Sequence, residues 1–379
     1  MEYPPMYRLP QDILCMIFIK LPLRQIIICR LISKPFHHLL TSPYFLNLIS
    51  NLPFPLLALR PPLHDKYYRL VPPPPVSLLH AFDHFSNQWL NFDLTFLPFT
   101  SLFLVTSSPG CIYLWGESPD SPSRSLVVCN PLTRVYRVLP KLGSAWSKNG
   151  SVLAGSGGRV FLFTQLATLY RDNHNENWLK CSTNLRCSLN ARNLKPRRGI
   201  FIGSSVYALC WRHVESPFSD IVTCKLPENK TTSLVWSLVK KKEWGVGIDI
   251  LRSPKLLNGI GNKILMVGAE KKTMLINDYA HLAILILRLD LESLEWEEAG
   301  RMPYDMYKCF EETILYNKYF GGGDKVYFST PGGKLVVWDD SAKGVVGGRS
   351  EWRWNEGAPD FGDGLSRGFV FNASLGATP

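Results

Sequence analysis

The residues that could do chemistry in this sequence are few, and their spacing argues against most chemistries. The run Gly155-Ser156-Gly157-Gly158 precedes an apolar stretch, but no Lys-Ser/Thr follows where a phosphate-cradling loop needs a cation and a metal-binding hydroxyl. His37 and His38 are adjacent, whereas two imidazoles that share a metal from one helix face sit four residues apart. The nine cysteines, at 15, 29, 111, 129, 181, 187, 210, 224 and 309, include no pair at the two-residue spacing of zinc knuckles or redox motifs. No nucleophile elbow that would activate a serine is read from the sequence. No catalytic, cofactor-binding or metal-binding residue is expected, and the cysteines read as reduced, packed thiols.

The elements that carry the chain start with its first fifty residues. From Leu9 to Ile49, 24 of 41 residues are apolar and only Asp12, Lys20, Arg24, Arg30 and Lys34 are charged. Ile13, Ile17 and Leu21 recur at helical spacing, with Leu14 and Phe18 beside them. Pro10 suits a first helical turn, and Asp12 complements the N-terminal dipole. Pro22 interrupts, a second run carries Ile26, Ile27 and Cys29, and Ser33 can cap a third segment with Phe36, Leu39 and Leu40. Three helices this short cannot cover so much apolar surface among themselves. Part of it must face the rest of the chain or another protein.

Residues 51–76 hold Pro53, Pro55, Pro61, Pro62 and the run Pro72 to Pro75, which reads as a stiff connector. Beyond it a pattern repeats. A glycine is followed by an aliphatic and a large apolar residue at Gly157, Gly203, Gly261 and Gly323, with a looser copy at Gly110. Trp178, Trp236, Trp296 and Trp354 follow the last four. A period near 50 residues with several short β-rich runs is that of a propeller blade, and about 300 residues suggest about six blades. The tryptophans are expected to fill the wedges between blades.

With 379 residues, 46% hydrophobic and 19% charged, the composition is globular. No signal-like N-terminus is seen, and the most apolar stretch, about ten residues from Ala280, is too short for a bilayer span. A soluble, intracellular protein with no membrane partner is expected. The net charge of +11 favours acidic partners and is spread over Lys195 to Arg198, Lys240 to Lys242 and Lys271-Lys272. It reads mainly as solvated loops, so nucleic acid is not the expected partner.

Two resemblances sharpen these readings. Leu9-Pro10-Gln11-Asp12-Ile13-Leu14, Ile17-Phe18, Leu21-Pro22, Cys29-Arg30, Ser33-Lys34 and Ser42-Pro43-Tyr44-Phe45 resemble the F-box. Phe36 stands where that family usually has Trp, and Ile32 where it often has Val. The resemblance implies a surface for a Skp-type adaptor, and through it a cullin–RING ubiquitin ligase, made of Leu9, Pro10, Ile13, Leu14, Ile17, Leu21, Pro22, Ile26 and Cys29. The later part resembles the kelch-type domain of plant F-box proteins, through Asn130-Pro131-Leu132-Thr133 with Leu139-Pro140, and through Leu291 to Trp296 with Met302-Pro303.

Together they imply an α+β multidomain chain: a three-helix F-box (1–50), a linker (51–76) and an all-β kelch-type propeller (77–379). The implied role is the substrate-recognition subunit of a Skp–cullin–F-box ligase, non-catalytic and without cofactor, in nucleus or cytoplasm, with an unidentified protein target on the propeller. The alternative is a non-degradative cofactor that binds a transcription factor or nucleic acid. Loops at 172–177, 195–198, 213–219, 240–244 and 357–364 are candidates for target contact.

Overall fold

The computed structural model describes residues 9–50, 52, 54–60, 78–118, 121–142, 151–164, 168–173, 177–181, 196–211, 219–226, 234–241, 244, 250–271, 283–313, 318–330, 332–344, 350–355 and 367–379. The chain opens with four helices, not three: α1 Gln11–Phe18, α2 Leu23–Ile32, α3 Lys34–Thr41 and α4 Pro43–Ser50. Ser33 caps α3 by accepting the Phe36 N–H at 3.3 Å. Pro43 follows the end of α3 and opens α4. It occupies the first position of α4, where a missing N–H is harmless, while Ser42 Oγ accepts the Phe45 N–H at 3.2 Å.

Six four-stranded antiparallel sheets follow. The first blade uses β1 Phe54–Arg60, β2 Leu78–Asp83 and β3 Gln88–Asp93. The second holds β4 Ser101–Ser108, β5 Cys111–Ser118, β6 Ser121–Asn130 and β7 Val135–Val138. The third holds β8 Ser151–Ala154, β9 Val160–Phe163, β10 Thr168–Arg171 and β11 Leu179–Cys181. The fourth holds β12 Pro196–Ile202, β13 Ser205–Trp211, β14 Ser219–Lys225 and β15 Trp236–Leu238. The fifth holds β16 Leu251–Asn258, β17 Lys263–Glu270, β18 Ile284–Asp290 and β19 Trp296–Arg301. The sixth holds β20 Lys318–Gly322, β21 Lys325–Ser329, β22 Leu335–Asp339 and β23 Glu351–Asn355. The last strand, β24 Arg367–Ala373, returns to the first blade in the order β24-β1-β2-β3 and closes the ring. The fold is thus a helical F-box followed by a six-bladed propeller. Among the described residues no helix is long and apolar enough to cross a membrane.

The repeat glycines have one structural job. Gly110, Gly157, Gly203, Gly261 and Gly323 all take positive φ, between 57° and 78°, at the turn between the first and second strands of blades two to six. A side chain there would strain the tight turn. Among the described residues five copies occur; the first blade's inner strand is β24, from late in the sequence, so no such turn joins β24 to β1. A second device marks the turns between third and fourth strands. Asp83, Asn130 and Asp290 each accept the N–H two residues on, and Asn87, Arg134 and Leu294, four residues on, take positive φ.

The proline-rich connector requires a correction. Residues 54–60 form β1, an interior strand between β24 and β2. Pro55 lies near the strand's start, which leaves the apolar run Leu56 to Leu59 free to pair, and all four are buried. Residues 61–77, including the run Pro72 to Pro75, lie outside the described residues.

Apolar clusters fill the junctions between neighbouring blades. Trp236 is 3% exposed in one wedge, and Trp178 and Trp296 pack against two others. Trp354 departs from the expected packing role. It is 37% exposed, and Trp352 packs against that core instead, 5.4 Å from Phe328. The two are neighbours of like parity on β23, the outermost strand, and only one lies under cover. The largest cluster joins Leu14, Phe18, Ile26, Phe36, Leu40 and Phe45 of the helices to Leu56, Leu79, Leu104, Ile112 and Phe371 of the first two blades. Helices and propeller therefore share a core.

Candidate protein-docking face

Each of the first two helices has a buried side and an exposed apolar side. On α1, Leu14, Cys15 and Phe18 point inward, and Phe18 meets Phe36 edge-on with ring centroids 5.2 Å apart. Ile13, Met16 and Ile17 lie on the other side at helical spacing and are 44%, 52% and 41% exposed, with Leu9 before them at 39%. On α2 apolar residues run all the way round. Leu23 and Ile26 are buried, while Ile28, Leu31 and Ile32 are 40%, 82% and 61% exposed. A helix apolar on every side belongs in an interior, and the described residues cover only one side of it. Eight of the twenty exposed large apolar side chains among the described residues fall between Leu9 and Tyr44.

The expected contact residues divide accordingly. Leu9, Pro10, Ile13 and Ile17 are exposed, and Leu21, Pro22 and Cys29 are half-buried. Leu14 and Ile26, at 6% and 0% exposure, are core residues that position the face rather than form it. They share the helical repeat with the surface residues, and spacing alone does not tell the two sides of a helix apart. Sequence reasoning missed Met16, Ile28, Leu31, Ile32 and Tyr44, of which Tyr44 is 63% exposed. For Ile28, Leu31 and Ile32 the signal was present in the apolar residues on all sides of α2.

The polar groups near the face hold it in shape. Arg30 donates from Nη2 to the Leu40 carbonyl at 2.7 Å and ties α2 to α3. Arg24 donates to Gln88 Oε1 at 2.6 Å and ties α2 to the first blade. Burial pushes the Cys15 thiol up, aided by Asp12, and burial also raises Cys29. Both are thus neutral thiols, which suits packing rather than nucleophilic attack. A rigid apolar surface with few charges can bury against a partner.

The face sits at one end of the propeller. Phe54 pairs with Ala373, where β1 begins and β24 ends, and the Gly110 N–H donates to the Asn372 carbonyl at 2.7 Å at that same end. Asn130, buried, donates from Nδ2 to the carbonyls of Ser374 and Ala377, both at 2.8 Å, and pins the chain's end beside the helices. This end, the helix rim, carries the tight glycine turns. The strands flanking residues 61–77, 182–195, 212–218, 272–282 and 356–366 end and begin at the opposite rim. Of the candidate target loops, 172–177 joins strands at the helix rim and the others at the opposite one. Residues 174–176, 195, 213–218, 242–243 and 357–364 lie outside the described residues.

Comparison with known proteins agrees with this geometry. Residues 6–48 match the F-box domain family. Over 393 aligned residues, covering 100% of both chains, the sequence is 48% identical to SKP1-interacting partner 15 of Arabidopsis thaliana. Among solved structures, the chain resembles hydrazine synthase of Kuenenia stuttgartiensis at 10% identity and TM-score 0.43, over 75% of this chain and 82% of that one. It resembles YjhT at 10% identity and TM-score 0.40, over 73% and 91%. Those two likenesses are too weak to bear on function. With helices, ring and full-length relative in agreement, the chain belongs to the F-box protein family.

Proposed function

We propose that this protein is the substrate-recognition subunit of a Skp–cullin–F-box ubiquitin ligase. The observation that carries this reading is the exposed apolar side of α1 and α2, held on a core shared with the propeller. A Skp-type adaptor would cover Leu9, Pro10, Ile13 and Ile17, with Leu21, Pro22 and Cys29 at the margin, and link the chain to a cullin–RING ligase. The relative's name, SKP1-interacting partner, supports the same assignment. Ubiquitin transfer would be done by the ligase partners, and this chain would act as a non-catalytic receptor.

The propeller would hold a protein target at the rim opposite the helices, which keeps target and adaptor from competing for space. The shared core argues for a fixed distance between them, set by packing and not by a linker alone. We further read the blades as kelch-type, on the strength of the repeated glycine turns, the domain division as falling near residue 50, and the site of action as nucleus or cytoplasm. The test is capture of a purified Skp-type adaptor by the full chain and by a Leu9→Ala/Pro10→Ala/Ile13→Ala variant. Loss of capture by the variant supports the assignment, and undiminished capture refutes it.

A further inference from the structure

A guanidinium taken out of water costs free energy that an acidic partner normally offsets. Two arginines among the described residues are buried, Arg171 and Arg288, at 7% and 8% exposure. Arg288, on β18, follows the rule: its Nη1 pairs with Glu297 and its Nη2 with Asp340. Arg171, at the end of β10, breaks it. Its Nε and Nη1 are sealed from solvent and have no hydrogen-bond partner. The cation beside it is Arg137 of β7, whose Nε is likewise sealed and unpartnered.

Strand register explains how the two cations come to face each other. On blade two, Tyr113, Val128 and Arg137 are successive cross-strand partners. On blade three, Ala154, Val160 and Arg171 are. Tyr113, Val128, Ala154 and Val160 pack in one apolar cluster, so the two rows look at one another across the wedge between the blades. Each row carries its arginine at the outward end. Both lie near the helix rim, where β5 and β9 begin and β10 ends.

The surroundings hold these heads in place without neutralising them. Arg137 Nη2 donates to Asn173 Oδ1 at 3.0 Å across the wedge, and Trp178 Nε1 donates to the Pro140 carbonyl at 3.0 Å between the same two blades. Gly158 makes room for Asn173: it takes φ 66°, and a Cβ there would fall 2.1 Å from Asn173 Oδ1. Asp172 is the acid close enough to act on Arg171. Its Oδ2 accepts from the Tyr170 hydroxyl at 3.0 Å, and Tyr170 packs on the other side of the blade, toward blade four. Burial first, and then Arg137, lower the pKa of Arg171 from its ordinary value, against the pull of Tyr113 and Asp172. That is the direction of a cation short of a counter-charge.

We propose that the helix-rim end of the wedge between blades two and three binds a phosphate group, held by Arg137 and Arg171 together. A guanidinium presents N–H groups in a fixed fork that fits two oxygens of an oxyanion. Two forks from facing blades outnumber the oxygens of one carboxylate. A phosphate monoester has three free oxygens and a charge of about −1.5 to −2 at neutral pH, enough to offset both cations. Its source is either free phosphate or a phosphorylated side chain of a protein partner, and the assay below separates the two. The site lies on the helix rim, apart from the rim proposed to hold the target, so it stands or falls independently of the receptor reading.

The test uses the full chain and two probes. Inorganic phosphate is followed by phosphorus NMR line broadening, and a labelled Gly–phosphoserine–Gly peptide by fluorescence anisotropy beside its unphosphorylated form. Phosphate should bind, and acetate at equal concentration should not displace it. Arg171→Met, which keeps an apolar stem in the wedge, should bind about tenfold more weakly or worse, because it loses charge-assisted bonds. Arg134→Gln, which removes an exposed charge from the same rim, should bind as the parent does. Equal affinity for phosphate and phosphopeptide assigns the site to the free anion, and tighter binding of the phosphopeptide assigns it to a phosphorylated partner. No binding of either probe, binding of the unphosphorylated peptide as tight as of the phosphorylated one, displacement by acetate, or an equal loss in Arg171→Met and Arg134→Gln overturns the proposal. Should Arg171→Met fail to fold, Arg137→Gln, at a half-buried position, decides by the same readings.

Discussion

Replacing Ile13 and Ile17 with Ala separates docking from folding. Both side chains leave about two fifths of their surface open, at 44% and 41% exposure. Fully burying such a side chain is worth about 1.5–3 kcal/mol, so covering the open part contributes roughly 0.6–1.3 kcal/mol each. Losing both should weaken adaptor binding by about 8- to 70-fold, measured by calorimetric titration with a purified Skp-type adaptor. The melting temperature should stay close to that of the parent. Leu14→Ala and Ile26→Ala should do the reverse. Both residues lie in the shared core, at 6% and 0% exposure, and each truncation should cost about 2–5 kcal/mol of stability through the cavity it leaves. The reasoning fails if Ile13→Ala/Ile17→Ala binds the adaptor unchanged, or if Leu14→Ala weakens binding with no fall in melting temperature.

Three further outcomes follow from the fold. Asn130→Ala removes both bonds to the C-terminal carbonyls and the bond from the Leu132 N–H, so it should cost about 1–3 kcal/mol and make residues 374–379 more open to carboxypeptidase, seen by mass spectrometry. Gly110→Ala should destabilise more than Gly203→Ala in chemical denaturation. Both take positive φ, but a Cβ on Gly110 would fall 2.1 Å from the Ala377 Cβ, whereas nothing lies within 4 Å at Gly203. His84 is held at about 4, below its ordinary 6.5, by burial first and then by Lys325 and Arg353, against the opposing pull of Asp339 and Asp324. The folded state therefore favours the neutral ring, whose Nε2 pairs with the Tyr327 hydroxyl. Its contribution is complete above pH 6.5 and is lost as pH falls from there to about 4, because the unfolded chain takes up the proton first. His84→Gln should flatten the melting temperature across that window, and an unchanged slope would refute the assignment.

The repeat was legible in the sequence because a tight turn leaves one chemical mark, a glycine at positive φ, wherever it recurs. The helices were legible for the same reason, since Ser33 and Pro10 announce ends and Ile13 and Ile17 announce a period. What the sequence hid was sidedness. Leu14 and Ile13 have the same residue chemistry one position apart, and only the cover supplied by the shared core places them on different sides. Proline misled at β1, where Pro55 lies inside the strand near its start without interrupting it. Trp352 and Trp354 showed the same limit on an outer strand.

Hydrogen exchange of the full chain with and without a Skp-type adaptor tests the docking face most directly. Slowed exchange over residues 9–32, with the blades unchanged, is the pattern expected when α1 and α2 gain a cover. Unchanged exchange there in a chain that still binds the adaptor, or slowing confined to the propeller, would mean that the adaptor sits elsewhere.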